Sequence, residues 1–137
     1  MSRIYVDACC IIYLIEAAHP FHSLLVTKLL EYRSDPDSCI ITSQLSRLEC
    51  RARPVKDNDV AGLAAYDAFF AADKLTVGEI SAPVIDRATE LRARYGFSSP
   101  DAIHLASAME EAADIFLTGD AALARCAEVK VEVLRAS

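Results

Sequence analysis

The chain has 137 residues, of which 53% are hydrophobic, and a formal net charge of −6 at pH 7. This length and apolar content allow one sizeable core and exclude two ordinary domains, so we expect residues 1–137 to form a single domain. The negative charge argues against a protein that coats nucleic acid through a general positive field. It does not exclude an enzyme that binds a phosphodiester through a metal ion.

The longest apolar runs are interrupted by Glu16, Lys28 and Asp114, so we expect no membrane-spanning segment. The first residues lack the basic, apolar and small-residue pattern of a secretory signal, which predicts a cytoplasmic protein. The five cysteines are an odd number without a C-x-x-C pair, and this is typical of a reducing compartment. We therefore expect buried free thiols and neither disulfides nor structural zinc.

Short β-rich segments alternate with longer helical patterns along the chain, which predicts an α/β fold with a mostly parallel sheet. The predicted strands are residues 3–7, 38–42, 75–78, 114–118 and 129–134. The fourth strand is continuously apolar, as expected of a strand that is covered on both faces. The fifth alternates apolar with charged residues, which indicates an edge strand.

Helical patterns occupy the segments between these strands, and His19-Pro20 separates a first helix from a second. Apolar residues at helical spacing support the second helix (Leu24, Leu25, Leu29 and Leu30) and a later one (Val84, Ala88, Leu91 and Tyr95). Ser99-Pro100 resembles an N-cap followed by proline at the first helical position. We therefore expect Asp101 in the opening turn of a helix that continues to about residue 113.

Acidic side chains stand where the predicted strands end. Ligands of parallel α/β sheets bind beyond the carboxyl ends of the strands, and Asp7 and Asp120 follow the first and fourth strands. Glu49 lies in the helix that follows the second strand, and Asp101 lies at a helix N-terminus. Because Mg²⁺ and Mn²⁺ prefer carboxylate and water oxygens, we predict that these four acids gather around a divalent cation.

Each acid also has a structural interpretation. Asp101 and Asp120 are placed to cap helices, and Glu49 to be a solvated helix residue. Asp7 is harder to explain in this way, because it interrupts an apolar segment and a buried unpaired carboxylate is costly. His104 follows Asp101 by one turn and could face the site, although so apolar a helix favours a core histidine.

Two surface features also bear on binding. Basic residues cluster near Glu49, and either contact a phosphate backbone or form an ordinary solvated surface; they are Arg47, Arg51, Arg53 and Lys56. The first two helices carry more apolar residues than one sheet face readily covers, namely Ile11, Ile12, Leu14, Ile15, Leu24, Leu25, Leu29 and Leu30. We expect some of these residues to line a protein interface.

Four segments in this order resemble the PIN domain family. They are VD at residues 6–7, the acid Glu49 in a helix after IIT at 40–42, SPDAIHLA at 99–106 and LTGD at 117–120. The resemblance covers nearly the whole chain. In length, the chain is most similar to the VapC-type ribonuclease toxins of prokaryotic toxin–antitoxin pairs. In this family Ser or Thr often follows the first aspartate, with a small polar residue next, whereas this chain has Ala8 and Cys9.

The resemblance implies a three-layer α/β/α sandwich and Mg²⁺- or Mn²⁺-dependent cleavage of RNA by an endoribonuclease. The residues that it places in the catalytic metal site are Asp7, Glu49, Asp101 and Asp120, with Thr118 as a supporting hydroxyl. It further implies a cognate antitoxin protein and a homodimer.

Other Mg²⁺-binding α/β domains fit less well. A receiver domain requires paired acids after its first strand, and an Asp-x-Asp phosphatase requires a second aspartate, whereas Asp7 is followed by Ala8 and Cys9. The alternative that stays open is a PIN-like module that binds RNA or a protein without cutting RNA. The presence of all four acids argues against it, and a metal-dependent cleavage assay distinguishes the two.

Overall fold

The structure is a computed structural model that describes residues 2–135. Its strands are β1 Arg3–Val6, β2 Cys39–Ser43, β3 Leu75–Gly78, β4 Ile115–Thr118 and β5 Lys130–Val133. Its α-helices are α1 Ala8–Ile15, α2 His22–Arg33, α3 Gln44–Lys56, α4 Val60–Phe70, α5 Ala82–Tyr95 and α6 Ser99–Glu110. A short 3-10 helix, Ala121–Arg125, precedes β5.

The five strands form one sheet in the order β3-β2-β1-β4-β5, and every neighbouring pair is parallel. The predicted α/β class is confirmed, and the sheet is parallel throughout. Each predicted strand boundary agrees with the structure to within one residue, and β5 lies at an edge as predicted. Because β1 is the middle strand, the residue that follows it lies at the centre of the carboxyl edge of the sheet.

Helices cover both faces of the sheet and complete the predicted α/β/α sandwich. Side chains of a strand alternate between faces, so Tyr5 points to one face and Ile4 and Val6 to the other. Tyr5 stacks on Phe116 with ring centroids 5.2 Å apart, under α5 and α6. Ile4 and Val6 pack with Leu117 against residues of α1 to α4.

The structure corrects two helix ends. The N-cap of α6 is Ser98 and not Ser99, because the Ser98 hydroxyl accepts a hydrogen bond from the backbone N–H of Asp101 at 3.3 Å. The helix ends at Glu110 and not near residue 113, since Ala112 has a φ of 54° that no α-helix accommodates. Asp101 nevertheless lies in the first turn, as predicted.

Most of the apolar residues predicted to be in excess on α1 and α2 are buried or half-buried, and Leu30 is 61% exposed. Large exposed apolar side chains also occur on α3 and at the start of α4, where sequence analysis did not place them; they are Leu48, Val55 and Val60. Among the described residues, no helix is both long and apolar enough to cross a bilayer.

Candidate metal-binding site

Asp7 follows the central strand β1 directly and is the N-cap residue of α1. Its carboxylate accepts hydrogen bonds at Oδ1 from the backbone N–H of Cys10 (3.1 Å) and the thiol of Cys9 (2.9 Å). At Oδ2 it accepts from the Thr118 hydroxyl at 2.6 Å. Only 7% of the residue is exposed. The partners of this buried carboxylate are therefore neutral donors, and its charge is solvated but not neutralised by them.

Thr118 connects the first and fourth acids of the motif. β1 and β4 pair with Val6 opposite Leu117, which brings the next residue of each strand, Asp7 and Thr118, side by side. While Thr118 donates to Asp7, its oxygen accepts from the backbone N–H of Asp120 at 3.1 Å. Thr118 thus links Asp7 to the turn that carries Asp120.

Asp120 is exposed and caps the 3-10 helix, because its Oδ1 accepts from the backbone N–H of Ala122 at 2.9 Å. The capping interpretation of Asp120 is therefore correct, and one of its oxygens is engaged in this way. Asp120 also lines the cavity, and capping engages only Oδ1, so a structural role and a site role are compatible in this residue.

Asp101 is half-buried in the first turn of α6. Burial raises the pKa of its carboxyl above the ordinary value, and the negative charges of Asp120 and Asp7 raise it further; a hydrogen bond to Ser98 and the nearby His104 act in the opposite direction. The effect of Asp120 and Asp7 indicates that the three carboxylates share one electrostatic environment.

Glu49 reaches the same region from α3. It is half-buried, and its Oε1 lies 2.6 Å from Nε2 of His104. The other ring nitrogen of His104 lies 2.8 Å from the Tyr5 hydroxyl, which is also 2.9 Å from the hydroxyl of Ser43. Glu49 is therefore not the freely solvated helix residue of the structural interpretation.

All four acids line one cavity of about 410 Å³ beyond the carboxyl edge of the sheet. The remaining lining residues are Ala8, Cys9, Tyr13, His104, Gly119 and Leu123. Gly119 fits closely against Tyr13, because a Cβ at this position would lie 3.0 Å from the tyrosine ring and the ring would have to move by a few tenths of an ångström. Sequence reasoning missed Tyr13, although Cys9 and Tyr13 are four residues apart and so share a face of α1.

Sequence reasoning also underestimated His104, and it missed Tyr5 and Ser43. His104 is a buried histidine with both nitrogens bonded, as the core interpretation required, yet it also lines the cavity and contacts Glu49. The position of Ser43 at the end of β2 was an available signal, since residues at strand ends meet at this edge. No local sequence pattern indicated that Tyr5 would contact His104.

The site concentrates negative charge, and among the described residues His104 is the basic side chain that pairs with one of its acids, Glu49. Within residues 2–135, no lysine or arginine forms an ion pair with Asp7, Asp101 or Asp120. Part of the basic cluster on α3 is neutralised elsewhere: Arg51 pairs with Asp67, and Arg53 with Asp57. The cluster is thus mainly a surface network, in which Arg47, Arg53 and Lys56 are exposed.

The residues fit a hard divalent cation. Carboxylate oxygens on a wet cavity are the donors that Mg²⁺ and Mn²⁺ prefer. Among described residues no three of these acids bring oxygens within 4.8 Å of one another, which suits a cation that keeps several waters. A tighter group of Asp7, Cys9 and Cys10 does exist. It is a poor soft-metal site, since contact with Cys9 and burial raise the pKa of the Cys10 thiol well above its ordinary value.

The fold and site therefore define an α/β domain with an acidic, oxygen-rich cavity at the carboxyl edge of a parallel sheet. The sequence matches the PIN domain family over residues 4–129. The chain belongs to the PIN domain family, and the sequence-based prediction of that family is confirmed. A comparison with curated proteins found no match.

Solved structures with the same fold include toxin–antitoxin proteins. A chain of VapBC2 from Rickettsia felis, solved with a promoter DNA fragment, has a TM-score of 0.76 and 16% identity over 97% of this chain and 99% of that one. The sarcin–ricin loop-cleaving toxin VapC20 of Mycobacterium tuberculosis has a TM-score of 0.73 and 17% identity, over 93% and 98% of the two chains. DNA-bound VapBC from Salmonella typhimurium has a TM-score of 0.76 and 14% identity, over 97% of this chain and 98% of that one.

Proposed function

We propose that this chain is a metal-dependent endoribonuclease and the toxin of a type II toxin–antitoxin pair, cleaving RNA with Mg²⁺ or Mn²⁺. The observation that carries the proposal is the convergence of Asp7, Glu49, Asp101 and Asp120 on one cavity, where none of them pairs with a lysine or arginine among the described residues. The similarity in fold to a toxin described as cleaving the sarcin–ricin loop supports RNA as the substrate.

The chain's own residues have distinct roles in this proposal. Asp7 and Asp101 coordinate the cation directly, Asp120 does so directly or through water, and Glu49 orients water or holds a second ion. Thr118 fixes the orientation of the Asp7 carboxylate by its hydrogen bond. The cation, when bound, polarises the phosphodiester and acidifies water for in-line displacement at phosphorus.

The test is incubation of the purified protein with total cellular RNA, with Mn²⁺ or with chelator, followed by mapping of new RNA ends. The proposal expects defined new ends with Mn²⁺ and none with chelator. Asp7→Asn, purified in parallel, should be inactive, which excludes a contaminating nuclease. Glu128→Gln is the matched control, because it removes the same charge from an acid that pairs with Arg94 away from the site. Cleavage that persists in Asp7→Asn would contradict the proposal.

An apolar groove supports an antitoxin partner. It has a volume of about 280 Å³, is formed by α1, α2, the end of α4 and the segment before β3, and includes Leu14, Leu25, Leu29 and Phe69. Two exposed basic side chains, Arg33 and Lys74, also line it. We assign it to an amphipathic antitoxin segment with acidic residues beside its apolar face. A further part of the antitoxin reaches the acidic site with Arg or Lys, because a fixed cation replaces the metal electrostatically.

Co-expression with the protein encoded by the neighbouring gene tests this assignment. The expected result is a stable complex without ribonuclease activity, and Leu29→Asp in the groove should abolish the complex while leaving cleavage by the free toxin intact. Sedimentation of the free protein tests the homodimer that we include in the proposal. A monomer at high concentration, with a gene neighbour that neither binds nor inhibits, would refute the partner assignment.

The remaining alternative is a PIN-like module that binds RNA or a protein without cutting. The Mn²⁺ assay decides between the two functions, because the module would bind RNA equally in Mn²⁺ and chelator and would yield no new ends. The intact set of four acids favours the nuclease.

A further inference from the structure

His104 is part of a buried chain of polar contacts that ends at Glu49. The residue is 5% exposed, and both ring nitrogens have partners. Nδ1 lies 2.8 Å from the Tyr5 hydroxyl, and Nε2 lies 2.6 Å from Oε1 of Glu49. Tyr5 belongs to the central strand and also contacts the Ser43 hydroxyl at 2.9 Å. The chain therefore connects the middle of the sheet to an acid on the cavity wall.

The chemistry of the partners determines which nitrogen carries the proton. An ionised carboxylate only accepts hydrogen bonds, so Nε2 must donate to Glu49. In the neutral ring Nδ1 is then an acceptor. Burial strongly raises the pKa of Tyr5 and keeps its one hydroxyl hydrogen in place, within reach of both Ser43 and Nδ1. When the rotatable Ser43 hydroxyl donates to Tyr5, the Tyr5 hydrogen goes to Nδ1 and stabilises the imidazole tautomer that donates to Glu49.

The position of His104 gives this contact a geometric consequence. His104 follows Asp101 by three residues on α6, so the two side chains lie on the same face of that helix. Glu49 is carried by α3, a different helix, and its side chain is long and 32% exposed. The bond from His104 restrains a side chain that would otherwise sample several rotamers, and it ties Glu49 to the helix that carries Asp101.

We propose that His104, oriented by Tyr5, is a positioning residue that holds the Glu49 carboxylate in place for the divalent cation. This inference rests on the proposed function to the extent that Glu49 is a cation ligand, and it extends that function to a buried pair that the family resemblance did not include. Hydrogen-bond partners of metal-ligating groups commonly change metal affinity when they are removed.

Two isosteric substitutions separate positioning of Glu49 from simple packing. The amide of His104→Gln occupies the place of Nε2 and can still donate to Glu49, whereas the amide of His104→Asn occupies the place of Nδ1 and contacts only Tyr5. Binding of Mn²⁺ alone, followed by electron paramagnetic resonance without RNA, is the readout. We expect His104→Asn to weaken Mn²⁺ binding by about 10- to 100-fold and His104→Gln by no more than about threefold.

A double-mutant cycle supplies the control. If His104 acts through Glu49, then His104→Asn should have no further effect on Mn²⁺ affinity in a Glu49→Gln background. Thermal melting in chelator verifies that each variant is folded. Should His104→Asn fail to fold, Tyr5→Phe replaces it, because it keeps the ring and removes only the hydroxyl that contacts Nδ1 and Ser43, and it should weaken Mn²⁺ binding by about two- to tenfold.

The outcomes separate this inference from the proposed function. Equal Mn²⁺ affinities of His104→Asn and wild type, equal losses in the Gln and Asn variants, or an unaltered effect of His104→Asn in the Glu49→Gln background would overturn the positioning role. Failure of wild type to cut RNA, together with the expected affinities, would refute the nuclease proposal and leave the positioning role standing.

Discussion

Carboxylates in two regions of this molecule have opposite surroundings. At the β5 edge, Glu132 accepts from the Lys28 ammonium at 2.7 Å and from the Tyr32 hydroxyl. At the carboxyl edge of the sheet, Asp7 and Asp101 have hydroxyl, thiol and backbone partners and, among the described residues, no lysine or arginine. The fold itself supplies the countercharge in the first arrangement, and in the second we propose that a cation or a partner protein supplies it.

The pKa values follow this difference. Burial alone would raise the pKa of Glu132, but the bonds from Lys28 and Tyr32 outweigh it and the net shift is downward. Burial raises the pKa of Asp101, and the charges of Asp120 and Asp7 add to the shift. The surroundings of Glu132 therefore favour its charged form, and this form stabilises the fold. The surroundings of Asp101 disfavour its charged form.

The largest expected difference between the regions is in activity. Asp7→Asn and Asp101→Asn should lose at least about 100-fold in the rate of RNA cleavage with Mn²⁺, because each removes a cation ligand, whereas Glu132→Gln should cleave at the wild-type rate. Single-turnover cleavage of one defined RNA measures the rates. An Asp101→Asn protein that cuts at the wild-type rate would show that the site assignment is wrong.

Stability with and without cation is the second comparison. Two carboxylates about 6 Å apart repel by roughly 0.7 to 2.8 kcal/mol for effective dielectrics from 80 down to 20. Asp101→Asn should therefore melt no lower than wild type in chelator. Saturating Mg²⁺ at about 100 times its dissociation constant should stabilise wild type by about 2.7 kcal/mol and the variant by less. Melting curves that show equal Mg²⁺ stabilisation of both proteins would contradict a cation site at Asp101.

Asp120 combines a structural contact with a place in the site, because it caps the 3-10 helix and also lines the cavity. Asp120→Ala should lose about 0.5 to 2 kcal/mol in chelator through loss of the cap, while Asp120→Asn retains the cap and its stability. Both variants should lose cleavage. Equal activity of Asp120→Asn and wild type in the RNA assay would restrict Asp120 to its capping role.

The smallest effects are the pH dependences, which should have opposite signs. A raised folded-state pKa at Asp101 contributes stability below its unfolded-state value, and this is lost as pH rises through the folded-state value. A lowered folded-state pKa at Glu132 contributes stability above the unfolded-state value, and this is lost as pH falls through the folded-state value. In chelator, Glu132→Gln should be less stable than wild type near pH 7 and converge with it in acid.

The opposite trend is expected for Asp101→Asn: its free energy of unfolding relative to that of wild type should increase with pH. Denaturant unfolding from pH 3 to pH 7 measures both series. The same sign of pH dependence in both variants would remove the distinction between the two regions.

Much of the fold was predictable because the signals for it are local. Apolar runs, alternation within β5 and the break at His19-Pro20 depend only on neighbouring residues, and they located each strand to within one residue. The acids at strand ends were predictable for a related reason, since a parallel sheet brings its carboxyl ends to one edge whatever the order of the strands. The order of the strands itself was not predictable from these patterns.

The sequence by itself determined the α/β architecture and the convergence of Asp7, Asp101 and Asp120, since both follow from local periodicity and from the position of each acid at an element boundary. The tertiary structure decided the partners of individual side chains. The bond between Glu49 and His104 joins residues 55 positions apart, and the contact between Tyr5 and His104 joins residues 99 positions apart. No local pattern specifies such contacts, because they depend on how α3 and α6 pack against the central strand.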